Sequence, residues 1–167
     1  MTGAQEIHVE STGEGPDLVL LHGWGLHGGV WGNTIPALAA DYRVHCVDLP
    51  GYGRSAPPPG AYTLQTLAET VCRAVPAGAS WVGWSLGGMV ALCAAAGGAP
   101  IRRLGLVAAN ARFVAAPDWP HAVAEEVLDA FIEQLSTDYR ATLMRGRPTR
   151  GPEGIAGPPP PAGQDLS

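Results

Sequence analysis

Ser85 stands in a G-x-S-x-G spacing, Gly83-Trp84-Ser85-Leu86-Gly87, with a short strand-like stretch before it and the apolar run Gly88-Met89-Val90-Ala91-Leu92 after it. A serine hydroxyl becomes a nucleophile once a base takes its proton, and the chemistry then open to it is acyl transfer. In a nucleophile elbow the serine occupies a sharp strand-to-helix turn, and small residues two positions either side let backbone pass close enough to lift the hydroxyl clear of the sheet. Gly83 and Gly87 supply that room. The helix that follows points its unpaired amides and the positive end of its dipole at Ser85, which is half of an oxyanion hole. With 23 glycines in 167 residues the bare spacing would also arise in an ordinary turn; the strand before and the helix after select the chemical reading. A second, upstream loop is required as well, and His22-Gly23-Trp24-Gly25 follows the apolar strand Asp17-Leu18-Val19-Leu20-Leu21.

Several other residues compete for a role. His22 precedes the serine and sits where such loops use a histidine as a hydrogen-bonding strut, so the strut is favoured over a catalytic base. His27 reads as exposed loop. Asp48 ends the strand Tyr42 to Pro50 and is expected to hold the glycine-governed loop Gly51-Tyr52-Gly53-Arg54-Ser55 by accepting backbone amides, rather than to serve as a triad acid. His121, in Asp118-Trp119-Pro120-His121, is the one histidine after Ser85 and reads as a surface or capping residue. Cys46, Cys72 and Cys93 are widely spaced in apolar segments, without a C-x-x-C pair, and read as buried thiols.

The elements that must position these groups alternate between strand and helix. Ile7 to Thr12 has the alternation of a half-exposed strand, and Gly13-Glu14-Gly15-Pro16 turns it back, predicting a hairpin start. Asp17 to Leu21 has no polar face, as in a parallel strand covered on both sides. Trp31, Ile35 and Leu38 mark the inner face of a short helix. Thr63 is the expected N-cap of a helix carrying Leu64, Leu67, Val71 and Val75, ended by Pro76-Ala77-Gly78. Arg102 to Asn110 gives a further apolar strand. The order β-β-α-β-α-β-α-β implies a mostly parallel sheet with right-handed crossovers. His121 to Met144 then carries Val123, Val127, Leu128, Phe131, Leu135 and Leu143 largely at helical spacing, predicting an amphipathic helix or helix pair suited to a lid.

Composition narrows the classes. With 46% hydrophobic and 15% charged residues the chain suits one modest domain that can bury a core. The net charge of −5 and scattered basic residues offer no face for nucleic acid. The N-terminus lacks a leader pattern and no stretch is a membrane span, so a cytoplasmic protein is expected.

Three stretches, Leu20-Leu21-His22-Gly23-Trp24-Gly25-Leu26, Val47-Asp48-Leu49-Pro50-Gly51-Tyr52-Gly53-Arg54-Ser55 and Trp81-Val82-Gly83-Trp84-Ser85-Leu86-Gly87-Gly88, together resemble the α/β-hydrolase superfamily. The tryptophans at 24 and 84 bring the resemblance closer to the pimeloyl-acyl-carrier-protein methyl ester esterases of biotin synthesis, over roughly residues 5 to 145. The resemblance implies an α/β-hydrolase fold and a serine carboxylesterase acting on the methyl ester of a pimeloyl-carrier protein, with no metal and no cofactor. It implies Ser85 as nucleophile, the amides of Trp24 and Leu86 as oxyanion hole and the Trp24 indole as a wall of the acyl pocket. A lid arginine, matched by Arg145, would meet the acidic surface of the acyl-carrier protein. A monomer is expected. Another small-ester hydrolase is the alternative within the class.

The chain also departs from the family pattern. Relatives continue past this arginine with an apolar helix and then strands bearing the catalytic Asp and His, whereas Gly146 to Ser167 is Gly-, Pro- and Arg-rich and includes Pro158-Pro159-Pro160-Pro161. The expected organisation is residues 1–116 as the N-terminal part of the hydrolase core, 117–145 as the start of a helical lid, and 146–167 as a disordered tail, as if the reading frame had shifted or ended early. The sheet would then stop before the family's last strands and leave residues 104 to 110 either without a neighbour or with an exposed edge. A chain without the triad Asp and His would be a catalytically incomplete fragment.

Overall fold

The computed structural model describes residues 7–58 and 60–137. The chain divides into a sheet-bearing unit through Asn110 and a second unit from Ala111. The first contains β1 (Val9–Thr12), β2 (Asp17–Leu21), a 3-10 turn (Gly28–Trp31), α1 (Ile35–Leu38), β3 (Arg43–Val47), α2 (Leu64–Ala74), β4 (Ser80–Trp84), α3 (Leu86–Ala96) and β5 (Arg103–Val107). The order β-β-α-β-α-β-α-β predicted from the alternation of patterns is the order observed.

The five strands form one sheet in the order β1-β3-β2-β4-β5. All neighbours run parallel except β1, which is antiparallel to β3. The hairpin expected at the start is therefore not formed, because β3 takes the place between β1 and β2. The turn between them carries positive φ at Gly13 (84°) and Gly15 (111°) and runs against the backbone of Ala39, Asp41 and Tyr42, which leads β1 past the start of β3 to its outer side.

Because β2 is apolar at every position but its first, it feeds two cores. Val19 and Leu21 join Val47, Leu49 and Trp81 beneath Leu67, Ala68 and Val71 of α2 and Val90, Ala91 and Ala94 of α3. Leu18 and Leu20 join Val44 on the other face, covered by Trp31, Ile35 and Leu38. Each Leu or Val so buried contributes about 1.5–3 kcal/mol. The helix α2 shows why its sequence is amphipathic: the Thr63 hydroxyl accepts the Thr66 amide at its start, Leu67 and Val71 are buried, and Gln65, Glu69 and Arg73 face solvent. In α3, by contrast, Gly87 and Gly88 are buried and allow close approach to the sheet. Within this unit β5 lies at the sheet's edge, with Leu106 and Val107 exposed at 42% and 48%.

In the second unit α4 spans Glu125–Thr137. The helix expected from His121 starts later because Val123 is engaged in a bridge with Val114, its amide donating to Phe113 and its carbonyl accepting from Ala115. Glu125 and Glu126 then occupy the first turn, where carboxylates complement the helix dipole. Val127, Phe131 and Ile132 are exposed and Leu128 is partly buried. Met144 and Leu143 lie outside the described residues, as do Arg145 and the Gly146–Ser167 tail. Among the described residues no helix is long and apolar enough to cross a membrane.

Candidate active site

Ser85 sits at the junction of β4 and α3 with φ 52° and ψ −117°, a left-handed backbone that a residue with a Cβ adopts only when its surroundings impose it. Three hydrogen bonds do so. The Ser85 amide donates to the Val107 carbonyl of β5 at 2.9 Å, and its carbonyl accepts from Gly88 at 2.9 Å and Met89 at 3.1 Å. The hydroxyl does not cap α3. The Leu86 amide begins the helix, in the first turn whose amides have no acceptor within the helix.

The flanking glycines are required by close approach. A Cβ on Gly83 would lie 2.5 Å from the Gly87 carbonyl carbon, and one on Gly87 would lie 2.5 Å from the Leu21 oxygen and 2.6 Å from the His22 oxygen. The elbow is thus pressed against the end of β2, from which the His22-Gly23-Trp24 loop departs. Gly23 abuts the serine: a Cβ there would stand 3.4 Å from the Ser85 Cβ. The Trp24 side chain is half-buried against the main core, while Trp84 points to the other face, edge-on to Trp31 at 6.5 Å between ring centroids. The structure thereby brings Ser85, Leu86 and the Trp24 loop together. Arg145 lies outside the described residues.

His22 is fully buried. Its Nε2 accepts the Leu49 amide at 2.9 Å, so the proton is on Nδ1, which donates to the Gly23 carbonyl at 2.8 Å. Both nitrogens are committed, and burial pulls the pKa from its ordinary 6.5 to about 4, against the opposing pull of the Gly23 carbonyl. The strut joins the Trp24 loop to the Asp48 loop as the motif predicts. Asp48 is buried too, with one oxygen accepting the Gly28 amide at 2.6 Å and the other the Arg54 amide at 3.0 Å. Burial alone would raise its pKa; the two amides, helped by His22 and Arg54, hold it below the ordinary value. Ser55 completes the loop, donating to the Asp48 carbonyl and accepting the His8 amide at 2.8 Å.

Two expectations are adjusted. His27 is half-buried rather than exposed, and its Nδ1 accepts the Gly29 amide to cap the 3-10 turn. Cys46 is buried, its thiol pushed up to about 12 chiefly by burial, but Cys72 and Cys93 are only partly buried. Ala108, which the sequence does not single out, has φ 47° just after the strand that receives the Ser85 amide. No residue type signals it. His121 is exposed, as its setting suggests.

The buried His22 gives a pH prediction. Its folded pKa is depressed, so the unfolded chain binds the extra proton between pH 6.5 and 4, and stability is lost as pH falls through that window. The loss is on the order of 3 kcal/mol across the window, before Asp48 adds its own loss at still lower pH. Urea midpoints measured across this range should fall steeply, and His22→Gln should flatten the slope while lowering the plateau.

A strained serine between a parallel strand and a helix, with a glycine loop from the neighbouring strand beside it, defines a class of protein. The family model for the alpha/beta hydrolase family matches residues 18–166, and the chain belongs to that family. Among curated relatives it is 48% identical over 139 residues to a pimeloyl-[acyl-carrier protein] methyl ester esterase of Xanthomonas campestris pv. campestris, covering 83% of this chain and 54% of the relative. It is 45% identical over 139 residues to the protein of the same name from Stenotrophomonas maltophilia, covering 83% of this chain and 53% of that one. The chain thus spans about half the length of the curated relatives it matches. Among solved structures it resembles an esterase from Exiguobacterium antarcticum, with a TM-score of 0.76 and 28% identity over 83% of this chain and 55% of that one. A bromoperoxidase from Bacillus anthracis matches with a TM-score of 0.76 and 27% identity over 83% and 54%.

Proposed function

We propose that this chain is the N-terminal part of a serine carboxylesterase that hydrolyses the methyl ester of pimeloyl-acyl-carrier protein in biotin synthesis. The observation that carries the reading is the elbow: Ser85 at φ 52° with Gly23 against its Cβ, in a chain 48% identical over the matched region to an esterase of that name. In the reaction the Ser85 oxygen attacks the ester carbonyl, and the amides of Trp24 and Leu86 receive the charge on the carbonyl oxygen. Methanol leaves, and water releases the free acid from the acyl-enzyme. The Trp24 indole lines the acyl chain's path, and Arg145 meets the acidic carrier protein.

Ser85 needs a base that takes its proton, and in this family the acid and histidine follow the serine in the chain. The 167 residues hold one histidine after Ser85, His121, which is exposed in the second unit. Very slow turnover is therefore expected of these residues alone, at the level that binding and oxyanion stabilisation give without a base.

The substrate is tested in a chimera that joins this chain through Thr137 to the remaining C-terminal part of the Xanthomonas campestris relative. It should release methanol and free acid from the methyl ester of pimeloyl-acyl-carrier protein. A folded chimera that cleaves p-nitrophenyl butyrate but leaves the carrier-borne ester intact would favour another small ester as substrate.

A further inference from the structure

At the opposite end of the sheet from Ser85, three side chains from three strands form a connected chain. The Ser11 hydroxyl lies 2.8 Å from Nδ1 of His45, and Nε2 of His45 lies 2.7 Å from a carboxylate oxygen of Asp17. The register explains the meeting. Ser11 of β1 stands directly across from His45 of β3, and Asp17 lies on β2 two residues before Val19, the direct partner of His45. All three share one face, in the direct and diagonal cross-strand positions.

A carboxylate only accepts, so Nε2 carries a proton toward Asp17, and in the neutral tautomer with that proton Nδ1 is left bare for the Ser11 hydroxyl. Acid, base and hydroxyl are therefore ordered as in a nucleophilic triad, with the ring nitrogens exchanged. The base is protected and the nucleophile open: the His45 side chain is 6% exposed, that of Asp17 34%, and Ser11 faces solvent. Ser11 lines a shallow, open surface cleft with Gly13, Glu14, Gly15 and Arg43. The turn bounding the cleft is held in place, since a Cβ on Gly13 or Gly15 would strike the carbonyls of Ala39, Asp41 or Tyr42, and the Arg43 amide donates to the Pro16 carbonyl at 3.0 Å.

We propose that Ser11 is a second nucleophilic serine, activated by His45 and Asp17, that accepts small acyl groups from esters with good leaving groups, such as aryl esters or thioesters. The Ser11 oxygen bonds to the acyl carbon, its proton passes to Nδ1 of His45, and the bond from the acyl carbon to the leaving oxygen or sulfur breaks. That leaving atom takes the proton from Nδ1. Asp17 stays ionised throughout and holds the ring, while Arg43 supplies positive charge in the cleft where the carbonyl oxygen becomes anionic. The site stands apart from the proposed esterase function, and its failure would leave that function untouched.

The test uses the full chain carrying Ser85→Ala, treated with p-nitrophenyl acetate and mapped by peptide mass spectrometry. The chain contains no lysine, so competing acetylation of amines is confined to the N-terminus. Acetyl-Ser11 should accumulate at a rate that His45→Gln lowers about 100-fold, the low end for a positioned general base. Asp17→Asn, half-exposed at a strand end and so the milder change to the fold, should lower the rate about 10-fold by the loss of ring orientation and imidazolium stabilisation. Ser11 left unacetylated, or acetylated equally fast in a folded His45→Gln or Asp17→Asn variant, would overturn the proposal and leave the three residues as a clasp between strands.

Discussion

Replacing Gly87 by alanine is expected to destabilise the chain by about 3 kcal/mol or more, a large share of the roughly 5–15 kcal/mol that is the order of a domain's total stability. The added Cβ would lie 2.5 Å from the Leu21 oxygen and 2.6 Å from the His22 oxygen. Both are backbone atoms at the end of a central strand, so no side chain can swing aside; α3 must lift from the sheet. Lifting it withdraws Val90, Ala91 and Ala94 from the main core. Gly97→Ala is the matched control. That residue has φ −74° and its nearest neighbours would lie 3.4 Å from a Cβ, so a change within about 0.5 kcal/mol is expected. Urea denaturation followed by circular dichroism separates the two; equal midpoints for both variants would contradict the packing described for the elbow.

The elbow, the strut and the caps were legible in the sequence because each is local chemistry. Gly83 and Gly87 around Ser85, a histidine ahead of Gly23, an aspartate at a strand end before two glycines, and Thr63 before an amphipathic run each name the atoms they serve. The apolar run of β2 likewise announced a strand covered on both faces. Strand pairing was not legible in the same way. The Gly13-Glu14-Gly15-Pro16 turn fits a hairpin, and the insertion of β3 between β1 and β2 is decided by long-range pairing that a turn sequence does not encode. The grouping of Ser11, Asp17 and His45 depends on that same pairing, which is why three polar residues in separate segments gave no signal. Ala108 is a further case: its φ of 47° is marked by no residue type.

Ser85→Ala carries the other large effect, on chemistry alone. Alanine keeps the Cβ, so the backbone strain at φ 52° and the hydrogen bonds to Val107, Gly88 and Met89 are unchanged, and stability should shift by no more than about 0.5 kcal/mol. What disappears is the oxygen that forms the acyl-enzyme. Removing the nucleophile of a hydrolytic triad lowers turnover on the order of 10⁴-fold or more, leaving the residue supplied by oxyanion stabilisation and binding. The most direct measurement is kcat/KM for p-nitrophenyl butyrate in the chimera carrying the relative's C-terminal part, with and without Ser85→Ala, alongside circular dichroism of both. A fall of about 10⁴-fold or more with identical spectra is expected; a folded Ser85→Ala chimera that retains the parent's activity would rule out Ser85 as the nucleophile.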